Sequence, residues 1–151
     1  MKSIMNDYNN LVSKYQPPII DATLLFLRFY VAWVFFRAGL LKIDNWSSTQ
    51  YLFQYEYQVP LLPWQLAAYL GTAAELILPL FLAIGLISRL AALSLWFFNV
   101  IAVLSYPTLL SSGFVLFSKG AMDHQIWGLM IFFILVLGAG KWSLDNKVGL
   151  S

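Results

Sequence analysis

QLAAYLGTAAELILPLFLAIGLISRLAALSLWFFNVIAVLSY, residues 65–106, joins two apolar stretches, 65–88 and 89–106, that meet at Ser88 and Arg89. About twenty apolar residues in a helix cross the roughly 30 Å hydrocarbon layer of a bilayer, and both stretches approach that length. With almost no linker between them, Ser88 and Arg89 are expected to mark a tight antiparallel hairpin at one membrane surface. Pro79 predicts a kink that neighbouring helices tolerate by re-satisfying the freed carbonyl, and Glu75 stands one turn before it.

Working outward, DATLLFLRFYVAWVFFRAGLLK (21–42) precedes this hairpin and HQIWGLMIFFILVLGAGK (124–141) follows it. Asp21 and Asp123 are placed to cap the N-termini of these flanking helices, where an aspartate oxygen accepts from free amides. The expected architecture is all-α, an integral membrane four-helix bundle. A polar tail (1–18) ends in Pro17–Pro18, a pair that disfavours helix ahead of the first span. The membrane domain covers 19–145, and a short tail covers 146–151. The first apolar stretch is too long for a signal-peptide core and lacks a small-residue cleavage site, so it is expected to remain in the mature protein.

Two connections remain. NWSSTQYLFQYEYQVPLLPW (45–64) is rich in Trp and Tyr, rings that prefer the headgroup level, and predicts a short interfacial helix ending before Pro60. PTLLSSGFVLFSKGAM (107–122) is too short and Gly/Ser-broken to cross, yet too apolar for a hydrated loop; it is expected to dip into the interface or cover the bundle.

Composition points the same way. Of 151 residues, 60% are hydrophobic and 11% charged, about half the charged share of a soluble domain. A soluble bundle would need polar residues along every helix, whereas here most charges gather at the ends of apolar stretches. A net charge of +2 without basic runs gives no electrostatic footprint for nucleic acid. Cysteine is absent, which excludes thiolate catalysis, disulfide exchange and cysteine-ligated clusters within this polypeptide. Lys2, Lys14, Arg89, Lys141 and Lys147 fall on one side of the predicted bundle and Lys42 and Lys119 on the other, so the positive-inside rule puts both termini in the cytoplasm.

Ionisable groups at membrane depth are costly, and each calls for an explanation. At roughly 1.5 Å per residue from the cytoplasmic surface, Arg28 lies about 10 Å deep, Glu75 about 20 Å and Arg37 about 24 Å. Arg28, Ala32, Phe35, Gly39 and Lys42 share one face of the first helix while Arg37 points nearly opposite, so only one arginine can face the bundle axis. Arg37 reads equally as a side chain snorkelling to the outer headgroups. Glu75 reads either as a functional polar site or as a carboxyl that is protonated or paired with an arginine for structural reasons. His124 alone cannot hold a metal, and no metal site is expected. Small residues such as Gly39, Ala68, Gly71, Gly85, Gly128 and Gly138 read as close-packing positions, and Asn99 and Tyr69 either as polar contacts inside the bundle or as local hydrogen-bonders.

Three stretches together resemble the DoxX family: LRFYVAWVFFRAGLLKI (27–43), AELILPLFLAIGLISRLAAL (74–93) and GAGKWSLD (138–145). Arg28, Phe36, Gly39 and Lys42, then Glu75, Gly85, Arg89 and Ala91, then Gly138, Gly140, Ser143, Leu144 and Asp145 carry the likeness, which spans nearly all of 21–145. It implies a four-helix inner-membrane protein with recurring charges at Arg28, Lys42, Glu75 and Arg89; His124 has no firm counterpart. It also implies redox surroundings: one relative is a subunit of a membrane thiosulfate:quinone oxidoreductase, others associate with thiol- and superoxide-handling enzymes, and a distant branch resembles cargo receptors.

One fold with several jobs leaves three functions open. The first is a non-catalytic membrane subunit or accessory of an oxidoreductase system. It would offer a quinone or small anion a polar pocket near Glu75 and the arginines, with Arg28, Arg37, Lys42, Tyr69, Glu75 and His124 as binding candidates and Asp21, Arg89 and Asp123 as structural residues. A partner would carry the redox centre, and a homo-oligomer is compatible with this role. The second is a small-solute transporter or a cargo- or metal-handling accessory. The third is a purely structural membrane anchor.

Overall fold

The computed structural model describes residues 2–107 and 121–150. Most of the 107–122 connection, with its expected interfacial dip, and Lys119 lie outside the described residues. The described residues form six helices and no strand: α1 (Lys2–Asp44), α2 (Trp46–Tyr55), α3 (Trp64–Ile84), α4 (Ser88–Leu104), α5 (Met122–Leu137) and α6 (Leu144–Val148).

Apolar side chains on one face of each long helix dictate how they associate. α1 packs on α3, α3 on α4, α4 on α5, and α5 returns to α1, closing a four-membered ring. Val31 and Phe35 of α1, Leu82 of α3, Ala91, Ala92 and Leu95 of α4, and Ile131 and Ile134 of α5 fill its axis. The expected inward face of α1 is the observed one: Arg28, Ala32, Phe35 and Gly39 are buried and Lys42 half-buried, while Arg37 is exposed. A smaller cluster of Phe53, Ala67 and Ala68 seats α2 on α3. The short helix predicted between the first two spans is thus present, and it ends before Pro60.

Within α1, the stretch Tyr8–Asp44, and α3, Trp64–Ile84, are long and apolar enough to cross a membrane; α4 and α5 are apolar but shorter, at 17 and 16 residues. The outer faces of all four carry large apolar side chains, among them Trp33 at 63%, Ile77, Phe97 and Leu129.

Four local expectations are corrected. The Pro17–Pro18 pair does not end the helix; it lies inside α1. Each proline removes one amide donor, and the carbonyls released are those of Ser13 and Lys14, both exposed, where water can replace the lost bond. Asp21 therefore lies deep inside α1 and caps nothing at its N-terminus; its carboxylate accepts from the Lys141 amide at 3.0 Å. Asp123 is not the N-cap of α5 either, because the helix begins one residue earlier and Ala121 occupies the cap. The hairpin turn is Gly85–Leu86–Ile87 rather than Ser88–Arg89, and Ser88 already belongs to α4.

Gly85 makes that turn possible. Its φ of +71° closes α3, its amide donates to Leu82, and the Leu86 amide donates to Phe81. A Cβ there would stand 2.6 Å from the Ser143 Cβ and 3.1 Å from the Arg28 guanidinium carbon. Gly149 shares the backbone conformation, φ +75°, with nothing within 4 Å of the added carbon. Gly149→Ala is therefore expected to cost about 1 kcal/mol, the left-handed penalty alone, and Gly85→Ala about 3 kcal/mol once the clash is added. Thermal or denaturant unfolding of the two variants side by side checks the difference.

Candidate functional site

Two polar clusters lie at opposite ends of the ring. At the first, Arg28 is 1% exposed, a cation that must be matched where it lies. Nη1 donates to the Ala139 carbonyl, and Nη2 to the carbonyls of Ala83 and Trp142, each at 3.0 Å. Ala83 belongs to the last turn of α3, where carbonyls lack intrahelical donors, and Ala139 and Trp142 belong to the irregular segment after α5. One guanidinium thus ties α1 to α3 and to the C-terminal strap.

Asp145 completes this end. Its carboxylate accepts from the amides of Ile87 at 2.6 Å and Ser88 at 2.8 Å, so it serves the start of α4, and its own amide donates to the Gly85 carbonyl at 2.8 Å. Ser143 caps α6 by accepting from the Asn146 amide. Asp145 thus caps α4 across 57 residues, a kind of role that local pattern assigned to Asp21 and Asp123 at other helices. Arg89 is exposed, its guanidinium close to Gly138: a Cβ on that glycine would lie 3.5 Å from Nη2.

At the other end, Lys42 Nζ donates to both oxygens of Glu75, at 2.8 and 2.6 Å. The Glu75 side chain is 9% exposed and the Lys42 side chain 22%. Gly39 allows the approach of α3, since a Cβ there would meet Leu76 at 2.9 Å and the Glu75 Cβ at 3.1 Å. α2 stands beside the pair: Thr49 donates its hydroxyl to the Lys42 carbonyl at 2.9 Å, and Phe53 packs edge-on against Tyr57, which meets Tyr106 the same way. The Gln58 amide donates to the Ser105 carbonyl at 2.7 Å, tying the loop after α2 to the end of α4. Burial pushes the Tyr57 phenol above its ordinary value, with smaller contributions from Tyr106, Glu75 and Glu56. It therefore remains a protonated hydroxyl.

The structure divides the sequence candidates. Glu75 meets Lys42 and not an arginine; Arg28 belongs to the opposite cluster, and Arg37 lies on the exposed face. Tyr69 is exposed and packs on Trp46, with ring centroids 4.9 Å apart, along the outside of α3. His124 is joined to Asn99 in a two-point contact. The Asn99 amide donates to the His124 carbonyl and its oxygen accepts from Nδ1, both at 2.8 Å. The His124 ring also meets Trp127 edge-on. Among the described residues no three of His, Cys, Asp and Glu gather as a metal site would require. Tyr57, Tyr106 and the capping role of Asp145 went unread in the sequence. A buried Glu with a Lys on the inward face of α1 was the available signal for the Lys42–Glu75 pair, whereas Asp145 offers no local signal for what it caps.

Comparison with known proteins covers α3 and α4 whole and the second half of α1, and the family match ends before α5. A family model described as DoxX matches residues 23–107. An uncharacterized protein of Haemophilus influenzae is 32% identical over 130 residues, covering 83% of each chain. No solved structure matches.

Removing one member of a buried ion pair leaves the other charge unmatched, at about 3 kcal/mol, whereas replacing both by apolar groups is close to neutral. Lys42→Met is thus expected to destabilise by about 3 kcal/mol, and Lys42→Met with Glu75→Leu to recover most of that loss. A double-mutant cycle on unfolding free energies checks the coupling.

Proposed function

The chain belongs to the DoxX family, and on that premise we propose that it is a multi-pass protein of the bacterial inner membrane acting as a non-catalytic subunit or accessory of an oxidoreductase system. Its polar site is the Lys42–Glu75 pair, offered to a quinone carbonyl or a small anion. The bilayer placement is supported by the apolar side chains that α1, α3, α4 and α5 turn outward, since only an apolar solvent makes that exposure costless. Arg89, Lys141 and Lys147 cluster at the Arg28 end, and the cation excess there supports a cytoplasmic position for it and for both termini.

The carrying observation is the contrast between the two clusters. Arg28 uses its terminal nitrogens on backbone carbonyls that cannot titrate or leave, while Lys42 holds a titratable side chain and keeps a fifth of its own surface open. A quinone fits this donor set. Lys42 has three donors and directs two bonds at Glu75, leaving capacity for a ring carbonyl. The aromatic groups of α2 and the following loop would line the approach, and Glu75 would hold or accept a proton beside it. A bound quinone would supply the electron-accepting chemistry, and a partner protein the redox centre that a cysteine-free chain does not build from thiolates. Engagement of both Glu75 oxygens by Lys42 favours a second reading, a structural anchor in which the pair only fixes helix register.

Two measurements test this. The chain has no cysteine, so Ser47→Cys and Asn146→Cys each introduce a unique label site. A membrane-impermeant maleimide applied to intact spheroplasts should modify the first and spare the second; the opposite pattern would reverse the topology. Quinone co-extracted in mild detergent should be measurable by mass spectrometry and fall about tenfold in Lys42→Gln, the equivalent of losing the charge-assisted hydrogen bond to the ring carbonyl. Equal quinone in both proteins, or none in either while a protein partner persists, selects the anchor.

A further inference from the structure

Between α1 and α5 runs a groove of about 450 Å³ that neither polar cluster enters. Ile20, Leu24 and Leu27 line one wall, and Ile126, Met130 and Leu137 are among the residues of the other. Along α5 these positions run from Ile126 to Leu137, a rise of roughly 16 Å. That is about half of the roughly 30 Å hydrocarbon thickness, the depth of one leaflet. Ile20 and Leu137 place one end of the groove beside Asp21 and the segment that starts at Gly138.

At that end the protein is cationic. Lys141 has a side chain 70% exposed, and its position is fixed from two sides: its amide donates to Asp21 Oδ1 at 3.0 Å, and its carbonyl accepts from Asn146 Nδ2 at 3.3 Å. The guanidinium of Arg89 lies close to Gly138, the residue next to Leu137. Lys14 and Lys147 are also exposed at this end, and Asp21, 4.0 Å from the Lys141 ammonium, is the carboxylate that faces it. Asp145 is buried, and its charge is set against that of the buried Arg28, so the exposed cations stay in excess. Trp142, 57% exposed, adds an amphipathic ring of the kind that prefers headgroup level.

We propose that this groove is a binding site for an anionic phospholipid of the cytoplasmic leaflet, with one acyl chain between α1 and α5 and the phosphate at Lys141 and Arg89. It presupposes the bilayer placement proposed above and is independent of quinone binding. Groove length sets the acyl contact to one leaflet, and the charge at its mouth selects an anionic headgroup over a zwitterionic one. Each lysine or arginine near an anionic surface strengthens attraction about fivefold, so two together contribute about thirtyfold.

The test is native mass spectrometry of the detergent-solubilised full chain titrated with dioleoyl phosphatidylglycerol or dioleoyl phosphatidylcholine. One phosphatidylglycerol should be retained per chain, more tightly than phosphatidylcholine. Arg89→Gln with Lys141→Gln should lower phosphatidylglycerol affinity about thirtyfold and phosphatidylcholine affinity by less. Thr23→Trp, which fills the groove, should weaken both lipids, with circular dichroism confirming that the variant is folded. Should that variant be unfolded, Leu129→Trp on the facing wall makes the same test. Equal retention of the two lipids by the unaltered chain, or phosphatidylglycerol retention that survives either kind of variant, overturns the proposal. A chain that stays dissolved without detergent overturns the bilayer placement itself, a distinguishable failure.

Discussion

A guanidinium sealed inside a helical ring can exist only if acceptors are brought to it, and in this protein three backbone segments are arranged to do so. Arg28 receives the carbonyls of Ala83, Ala139 and Trp142. The two from beyond α5 are available because Gly138 (φ +83°) and Gly140 (φ +75°) turn the chain out of helix, across the end of the bundle. The same strap carries Asp145 to the amides of Ile87 and Ser88. Remove the buried cation and the strap loses two of its bonds to the bundle; remove the strap and the cation loses two of its three acceptors. The tight α3–α4 turn depends on both, because Gly85 is pressed between Ser143 and Arg28.

The coarse architecture was legible because it rests on local chemistry. Long apolar runs around Leu24–Leu41, Leu66–Ile84, Leu90–Leu104 and Ile126–Leu137 become helices, and a 3.6-residue period put Arg28, Phe35, Gly39 and Lys42 on the inward face of α1. Boundaries failed where the deciding partner was distant. Asp21 and Asp123 have the form of N-caps, but a helix start depends on the whole preceding segment, and α1 continues through two prolines whose released carbonyls are exposed. The cap that matters, Asp145, lies 57 residues from Ser88.

The site was legible in part for a related reason. Depth along a helix could be counted, so Glu75 was recognised as an acid needing a cation. Counting depth alone favoured Arg37, whereas azimuth decides: Lys42 shares the inward face and its long stem reaches Glu75 from the end of α1. The Phe53–Tyr57–Tyr106 cluster beside the pair depends on the turn after α2 and on the end of α4 meeting through the Gln58–Ser105 bond, a non-local contact.

The two ends therefore solve the same electrostatic problem with different freedom. Displacing Arg28 would expose carbonyls at the end of α3 and in the strap together, so any ligand that competed for it would have to replace acceptors in separate parts of the chain. Displacing Lys42 breaks contact with one carboxylate, and a ligand oxygen of similar basicity could take that place while both side chains stay attached to intact helices. If the chain exchanges hydrogen bonds with a small polar group, the Lys42 end is where the exchange can occur without unfastening the bundle. The Arg28 end, closed against such exchange, is instead suited to hold the helices in register at the surface where exposed cations gather.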